Sequence, residues 1–240
     1  NKFMKPKVLI LDAIGRETGI RELEDIVHIL GKEANKFDLI EHDIHVSPLN
    51  EEQLTVADKV IISGGPFSVY DDIPWFKHLE QAITILLKYH KSTLAICLGA
   101  QFLAQFLGSK VCKNPAGTEF GSICVSLTDQ GKAHQLFAKL HQSTWLHASH
   151  NDYIESLPAG AELLAYNENS PVQAFQYDSI IATQFHPDVP VHIMRHLLAG
   201  RKERYLASGF LKSDKHYHQI HDELAHGAEG HEVLRKFLIS

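Results

Sequence analysis

The chain has 240 residues, 44% of them hydrophobic and 22% charged, and its formal net charge is −6. This composition excludes an intrinsically disordered chain, because enough apolar side chains are present to form a core. The acidic balance argues against nucleic acid as the main partner, and no apolar run approaches the ~18 residues of a membrane-spanning helix.

The cysteine content indicates a reducing compartment. The three cysteines, Cys97, Cys112 and Cys124, are odd in number and form no C-x-x-C pair. Such a pattern does not support a disulfide framework. The first apolar run, residues 8–11, ends at Asp12 and is too short for the hydrophobic region of a signal peptide. We therefore expect a cytoplasmic protein.

The first part of the chain alternates between short apolar strands and amphipathic helices. Strands are predicted over residues 7–12, 37–46, 59–63 and 93–97. Helices are predicted over residues 18–31, 74–89 and 99–108. In the first helix the inward face is expected to carry Ile20, Leu23, Ile26, Val27 and Leu30. This alternation is typical of an α/β fold with a parallel sheet covered on both faces.

The pattern changes after Gly121. Strands with short connections are predicted over residues 122–127, 162–166, 172–176 and 180–183, which indicates an antiparallel addition to the sheet. Residues 201–240 form a polar segment that ends in a predicted helix over 232–239. We expect this segment to be a helical extension of the same domain.

Cys97 lies where an apolar strand meets a predicted helix, with Gly99 in the turn. One interpretation is a small buried side chain in a core strand. The alternative is a nucleophile, because a sharp strand-to-helix turn lifts the side chain out of the sheet edge, and a helix N-terminus favours a thiolate. The backbone N–H of Leu98, unpaired in the first helical turn, then faces an oxyanion.

Two further features follow predicted strands, at the edge where open parallel sheets bind ligands. His186 and Asp188 are two residues apart, so in an extended chain they point to the same side, and Asp188 can accept a hydrogen bond from the imidazole. The Gly64-Gly65 pair can direct the N–H of Gly65 toward a reacting carbonyl. Taken singly, these features also fit a surface histidine and an ordinary tight turn.

Five motifs in chain order together resemble those of the class I (triad) glutamine amidotransferases. They are Ile-Ser-Gly-Gly-Pro (62–66), followed by Ser68-Val69-Tyr70-Asp71, then Ala-Ile-Cys-Leu-Gly-Ala-Gln (95–101), Glu-Phe-Gly (119–121), Ser-His-Asn-Asp (149–152) and Gln-Phe-His-Pro-Asp (184–188). The chain is similar over residues 7–200 to standalone proteins that resemble the glutaminase domain of GMP synthetase. This resemblance implies a three-layer α/β/α domain over residues 1–200 with a flavodoxin-like, mostly parallel sheet, and residues 201–240 as its extension.

The resemblance also implies a mechanism. Cys97 would attack the side-chain amide carbon of glutamine, with His186 as general base oriented by Asp188. The N–H groups of Gly65 and Leu98 would hold the oxyanion. The residues that would bind the substrate are Gln101, Ser149, His150, Asn151 and Asp152. No cofactor and no metal are expected.

Two positions depart from the family's usual motifs. Asp188 stands where the family usually has Glu, which shortens the reach toward His186 by ~1.5 Å. Asn151 stands where the family usually has Gly, the residue best suited to a positive φ. We expect altered geometry at His186 and a modest change in the glutamine pocket.

The sequence leaves the overall reaction open. Either a separate synthase chain accepts the ammonia, or the protein hydrolyses a γ-glutamyl amide without a partner. A metal-dependent hydrolase could use His147, His150, Asp152, His186 and Asp188, although standard zinc spacing is missing. A catalytically silent binding protein is a further alternative, in which the altered carboxylate marks decay.

Overall fold

The computed structural model describes residues 4–240, apart from the side chain of Arg16. The strands are β1 Lys7–Asp12, β2 Asp38–Asp43, β3 Lys59–Ile62, β4 Thr93–Ile96, β5 Val111–Lys113, β6 Glu119–Leu127, β7 Ser143–His150, β8 Asp152–Ile154, β9 Glu162–Tyr166, β10 Ala174–Tyr177 and β11 Ile180–Thr183. The α-helices are α1 Glu22–Leu30, α2 Glu51–Thr55, α3 Phe76–Lys88, α4 Leu98–Phe106, α5 Asp129–Ala133, α6 Val191–Gly200, α7 Lys202–Ala207, α8 Asp214–Glu223 and α9 His231–Ile239. Within this part of the chain, no helix has the length and apolar character needed to cross a membrane.

Nine strands form one sheet in the order β2-β1-β3-β4-β11-β10-β9-β6-β7, and β5 pairs with β8 in a small second sheet. The strands from β2 to β11 in this order pair in parallel. Those from β10 to β7 add on antiparallel. The predicted α/β class, with a mostly parallel sheet and an antiparallel addition, is therefore confirmed. One detail differs: β11 lies at the junction, parallel to β4 and antiparallel to β10.

Alternating side chains place a core on each face of the sheet. In β1, Leu9 and Leu11 belong to the core that α3 and α4 cover. Val8 and Ile10 belong to the opposite core, which α1 and α9 cover. This period of two is what a pleated strand buried on both faces requires. The result is the three-layer arrangement expected from the sequence.

The predicted helix over 18–31 is shorter than expected and turned differently. Gly19 has a φ of 75°, and α1 begins only at Glu22. Val27, expected on the inner face, is 41% exposed, whereas Glu22 and Asp25 are buried. The inner face of α1 therefore carries two carboxyl groups that a search for apolar positions does not detect.

The C-terminal segment contributes directly to the core. The predicted helix over 232–239 is confirmed as α9, and its Val233, Leu234 and Phe237 pack with the strands on one sheet face. Helices α6, α7 and α8 form a third apolar cluster with Phe120 of β6, and α7 and α8 lie in the segment that was expected to be a helical extension. This cluster borders a cleft at the carboxyl ends of the parallel strands.

Candidate active site

The candidate catalytic residues follow three neighbouring parallel strands. Gly64 and Gly65 follow β3, Cys97 follows β4, and the segment with His186 and Asp188 follows β11. Because β3, β4 and β11 are adjacent and parallel, these residues meet at one edge of the sheet. They line a cleft of about 500 Å³, together with residues from α6, α7 and the turn between β7 and β8.

Cys97 occupies a strained turn between β4 and α4. Its φ is 48° and its ψ is −101°, a conformation that costs a non-glycine residue about 1–3 kcal/mol. The turn is held because the N–H of Cys97 donates to the Thr183 carbonyl (2.7 Å) and its own carbonyl accepts from the N–H of Gln101 (2.9 Å). Gly99 is required for close packing, since a Cβ there would lie 2.9 Å from the Ile62 carbonyl oxygen. The strand-to-helix elbow predicted from the sequence is present.

A chain of side-chain amides leads to the Cys97 sulfur. Gln184 Nε2 lies 3.6 Å from Cys97 Sγ in donor geometry. Gln101 Nε2 donates to Gln184 Oε1 and to the carbonyl of Asp152, both at 3.0 Å. Gln101 was predicted to contact substrate, but its amide nitrogen is occupied by the protein. Gln184 was not predicted, although it opens the Gln-Phe-His-Pro-Asp motif two residues before His186, a spacing that would have indicated it.

His186 connects the acid to the thiol. Its Nδ1 lies 3.0 Å from Asp188 Oδ1, and both residues are buried. Burial disfavours the imidazolium, but the negative charge of Asp188 and the interaction with the neighbouring Cys97 side chain outweigh it and raise the pKa of His186 to about 10. The positive charge of His186 in turn lowers the pKa of Asp188 against the effect of burial. The shorter acid predicted at this position therefore still reaches the ring.

Gly64 and Gly65 provide space between the elbow and the imidazole. A Cβ at Gly64 would lie 2.8 Å from His186 Cε1 and 3.5 Å from Cys97 Cβ, so the two catalytic side chains approach each other across this glycine. A Cβ at Gly65 would lie 2.8 Å from Leu98 Cδ2. Gly65 therefore packs closely against the side chain of Leu98, the other residue proposed to supply an oxyanion donor.

A buried acid, Glu22, contacts Asp188. Glu22, at the start of α1, is 1% exposed and lines the cleft. Burial and the negative charge of Asp188, with which Glu22 shares a hydrogen bond, raise its pKa well above the usual value. Burial and the same charge raise the pKa of Asp25 to about 7. No sequence signal indicated these two residues, because their partner lies far away in the chain.

The turn between β7 and β8 forms another wall of the cleft, as the motif predicts, with Ser149, His150, Asn151 and Asp152 lining it. Asp152 accepts hydrogen bonds from the hydroxyls of Ser68 (2.5 Å) and Tyr70 (2.9 Å). His150 is committed to the protein: its Nδ1 donates to the Asp152 carbonyl at 2.7 Å.

The other ring nitrogen of His150 contacts a further buried acid, Glu119. His150 Nε2 lies 3.0 Å from Glu119 Oε2. Glu119 also accepts hydrogen bonds from Ser170 and Asn167, and together these partners lower its pKa against burial. His150 therefore supports the wall of the cleft, with neither ring nitrogen left for the substrate.

The backbone at Asn151 does not have a positive φ. The non-glycine residues of positive φ among residues 4–240 are His90, Cys97 and Asp178, so Asn151 does not need the left-handed conformation that glycine favours. Its Oδ1 accepts from the Thr118 hydroxyl (2.8 Å), and its carbonyl accepts from the N–H of Asn114 (2.8 Å).

The residues considered for a metal site do not converge. His147 points its two ring nitrogens at backbone carbonyls, with Nδ1 3.1 Å from that of Val189 and Nε2 2.7 Å from that of Leu224. Within residues 4–240, no group of three or more His, Cys, Asp or Glu side chains is arranged to hold a metal ion. His186 and His150 instead pair with carboxyl groups of the protein, Asp188 and Glu119 respectively.

The comparisons with known proteins agree with the motifs. The sequence profile "Glutamine amidotransferase class-I" matches residues 23–199. The chain therefore belongs to the class I glutamine amidotransferase family, as its motifs predicted.

Individual relatives carry related names. A glutamine-hydrolyzing GMP synthase of Bacteroides fragilis is 34% identical over 196 residues, which are 78% of this chain and 34% of that protein. The chain thus spans about a third of the length of that relative. A protein of Sulfurisphaera tokodaii, named as one subunit of a glutamine-hydrolyzing GMP synthase, is 34% identical over 140 residues, which are 58% of this chain and 71% of that protein.

Two solved structures share the fold. A glutamine amidotransferase from Thermotoga maritima has a TM-score of 0.79 and 23% identity, covering 98% of this chain and 97% of that one. A glutamine amidotransferase from Methylobacillus flagellatus has a TM-score of 0.69 and 20% identity, covering 98% of this chain and 94% of that one.

Proposed function

We propose that the chain hydrolyses the side-chain amide of glutamine through a thioester on Cys97 and releases ammonia and glutamate. The observation that carries this proposal is the arrangement of Cys97, His186 and Asp188 at the ends of neighbouring strands. Nucleophile, base and orienting acid stand in the order that covalent amide hydrolysis requires.

In the first half-reaction the Cys97 thiolate attacks the amide carbon. The carbonyl oxygen becomes an oxyanion, and the N–H groups of Gly65 and Leu98 stabilise it; losing one such donor costs about 10²–10³ in rate. His186, which carries a proton at neutral pH, gives that proton to the departing nitrogen. The C–N bond breaks, ammonia leaves, and the glutamyl group remains on sulfur.

In the second half-reaction His186 acts as a base. The neutral imidazole takes a proton from water, whose oxygen attacks the thioester carbon. The C–S bond breaks, glutamate leaves, and the thiolate and imidazolium are restored. Asp188 keeps the ring oriented with Nε2 toward the sulfur in both halves, because it holds Nδ1.

A relative named as a single subunit suggests which protein would use the ammonia. The Sulfurisphaera tokodaii relative is named as a single subunit of a GMP synthase. By analogy, we expect a separate synthase chain to take up the ammonia. The protein would then act in the cytoplasm, where such a chain and glutamine are available.

A γ-glutamyl amide hydrolase is the second candidate. Ile14, Ile20 and Ile193 of α6 line the cleft together with Cys97. This apolar wall offers room for a substituent on the amide nitrogen. Such an enzyme would run the same two half-reactions and release an amine in place of ammonia.

Glutamate release from glutamine and from a panel of γ-glutamyl amines distinguishes the two candidates. Cys97→Ala should abolish release from every substrate. Cys124→Ala is the matched control, because Cys124 is exposed and lies outside the cleft. Turnover of γ-glutamyl amines alone would favour the second candidate, and release that survives Cys97→Ala would refute both.

A further inference from the structure

Arg201 stands at the end of a stripe along the cleft. Ile193, Leu197 and Arg201 are spaced four residues apart, so they share one face of α6 and its continuation, and all three line the cleft. The stripe begins with apolar side chains and ends in a positive charge. That end lies beside Ser149, whose carbonyl is 3.9 Å from Cys97 Sγ.

The guanidinium of Arg201 is held on three sides. Its Nη1 donates to Ser149 Oγ at 2.7 Å and to the Tyr205 hydroxyl at 3.3 Å. Its central carbon lies 5.7 Å from the centre of the Phe120 ring, within the range of a cation–π contact. A half-buried arginine fixed in this way loses little conformational entropy when it binds a ligand.

One edge of the guanidinium remains available. Within the described part of the chain, Nε and Nη2 of Arg201 donate no hydrogen bond, whereas Nη1 uses both of its hydrogens. The Nε and Nη2 hydrogens are parallel and match the two oxygens of a carboxylate. Because Arg201 lines the same cleft as Cys97, this edge can pair with a carboxylate that enters the cleft.

A negatively charged residue, Asp152, lines the same cleft as Arg201. Asp152 lines the cleft, and two hydroxyl groups fix its carboxylate. A negative group at Asp152 and a positive group at Arg201, both near Ser149, complement the ammonium and carboxylate of a free α-amino acid.

We infer that Arg201 binds the α-carboxylate of the substrate and selects γ-glutamyl compounds in which this carboxylate is free. This assignment deepens the proposed function and rests on it for the identity of the substrate. It gives the segment after α6 a role in specificity, and it orients the substrate with the amide substituent toward Ile193.

Ammonia release from glutamine and from its α-methyl ester tests this assignment, because the ester lacks the negative charge and its own hydrolysis yields no ammonia. The wild-type protein should show a KM for the ester about 10- to 100-fold above that for glutamine, the range of a charged hydrogen-bonded pair. Arg201→Gln should raise the KM for glutamine to that of the ester while kcat changes by only a few-fold, and Arg201→Lys should be intermediate. Lys215→Gln is the matched control, since Lys215 is an exposed cation of the same segment.

The outcomes separate this inference from the proposed function. If Arg201→Gln keeps the preference for glutamine over the ester, or lowers the activity on both substrates equally, Arg201 has only a structural role and the inference is overturned. If the wild-type protein releases no ammonia, the proposed function fails and calorimetry with glutamine and the Cys97→Ala protein decides. Binding that is lost in the Arg201→Gln, Cys97→Ala double variant supports the inference; equal binding, or no binding to either protein, overturns it.

Discussion

Replacing Gly64 by alanine tests the approach of His186 to Cys97 without removing either side chain. The added methyl would lie 2.8 Å from His186 Cε1 and 3.5 Å from Cys97 Cβ. Carbon atoms in ordinary contact are about 3.5–4.0 Å apart, so the ring must retreat by about 0.7–1.2 Å. The contact with Cys97 Cβ already lies at the lower limit of that range, so the imidazole is the group that moves.

This displacement would weaken the hydrogen bond that orients the imidazole. The bond between His186 and Asp188 is 3.0 Å long, and a retreat of the ring away from Asp188 by that amount would lengthen it to about 3.7–4.2 Å, beyond the range of a hydrogen bond. A misplacement of about 1 Å in a catalytic group costs on the order of 10²-fold in rate. We therefore expect Gly64→Ala to lower kcat for glutamine by about 100-fold.

Steady-state kinetics and thermal unfolding of the variant check this estimate. Gly230→Ala is a suitable control, because it also adds a methyl at a buried glycine, 3.1 Å from a Leu146 methyl and away from the cleft, and it should remain active. A folded Gly64→Ala protein with kcat within twofold of the wild type would refute the reasoning.

The buried polar groups support three more predictions. Asp188→Asn removes the charge that raises the pKa of His186, so kcat should fall by about 10³-fold and an alkaline pH should not restore it; an unchanged pH–rate profile would contradict this role. Asp25 has a pKa of about 7, above its ordinary value, so its ionisation opposes folding as the pH rises toward 7. Asp25→Asn should therefore be more stable to urea than the wild type at pH 8, and this gain should disappear below about pH 4. Equal gains at both pH values would contradict this cause. Lys59 donates hydrogen bonds to the carbonyls of Phe237 and Ser240. Lys59→Met should therefore lower the free energy of unfolding by about 1–3 kcal/mol and leave kcat unchanged. A urea midpoint equal to that of the wild type would contradict this prediction.

The fold was predictable where apolar periodicity decides burial. β9 and β11 have the bounds expected from their residues, because buried strands of this kind read as compact apolar runs. β7 was not predicted, since Ser143–His150 contains few apolar residues and owes its strand conformation to pairing with β6 along its length. Pairing of this kind is a tertiary effect that local patterns do not carry.

The site was predictable where motifs mark strand ends. Cys97 and His186 were found because each follows a strand in a recognisable motif. Glu22 and Arg201 were not found, because each acts through a residue that is distant in sequence and near only in the folded chain. Burial of the Glu22 carboxyl also contradicts the rule that charged residues face solvent, a rule that proteins break most often at functional sites.

Labelling with an electrophilic analogue of glutamine, such as a diazoketone, tests the central claim most directly when the adduct is located by mass spectrometry. We expect one glutamyl-type adduct per chain, on Cys97, formed more slowly in the presence of glutamine and absent from Cys97→Ala. Modification of Cys112 or Cys124 instead, or an adduct on Cys97 whose formation glutamine does not slow, would contradict it.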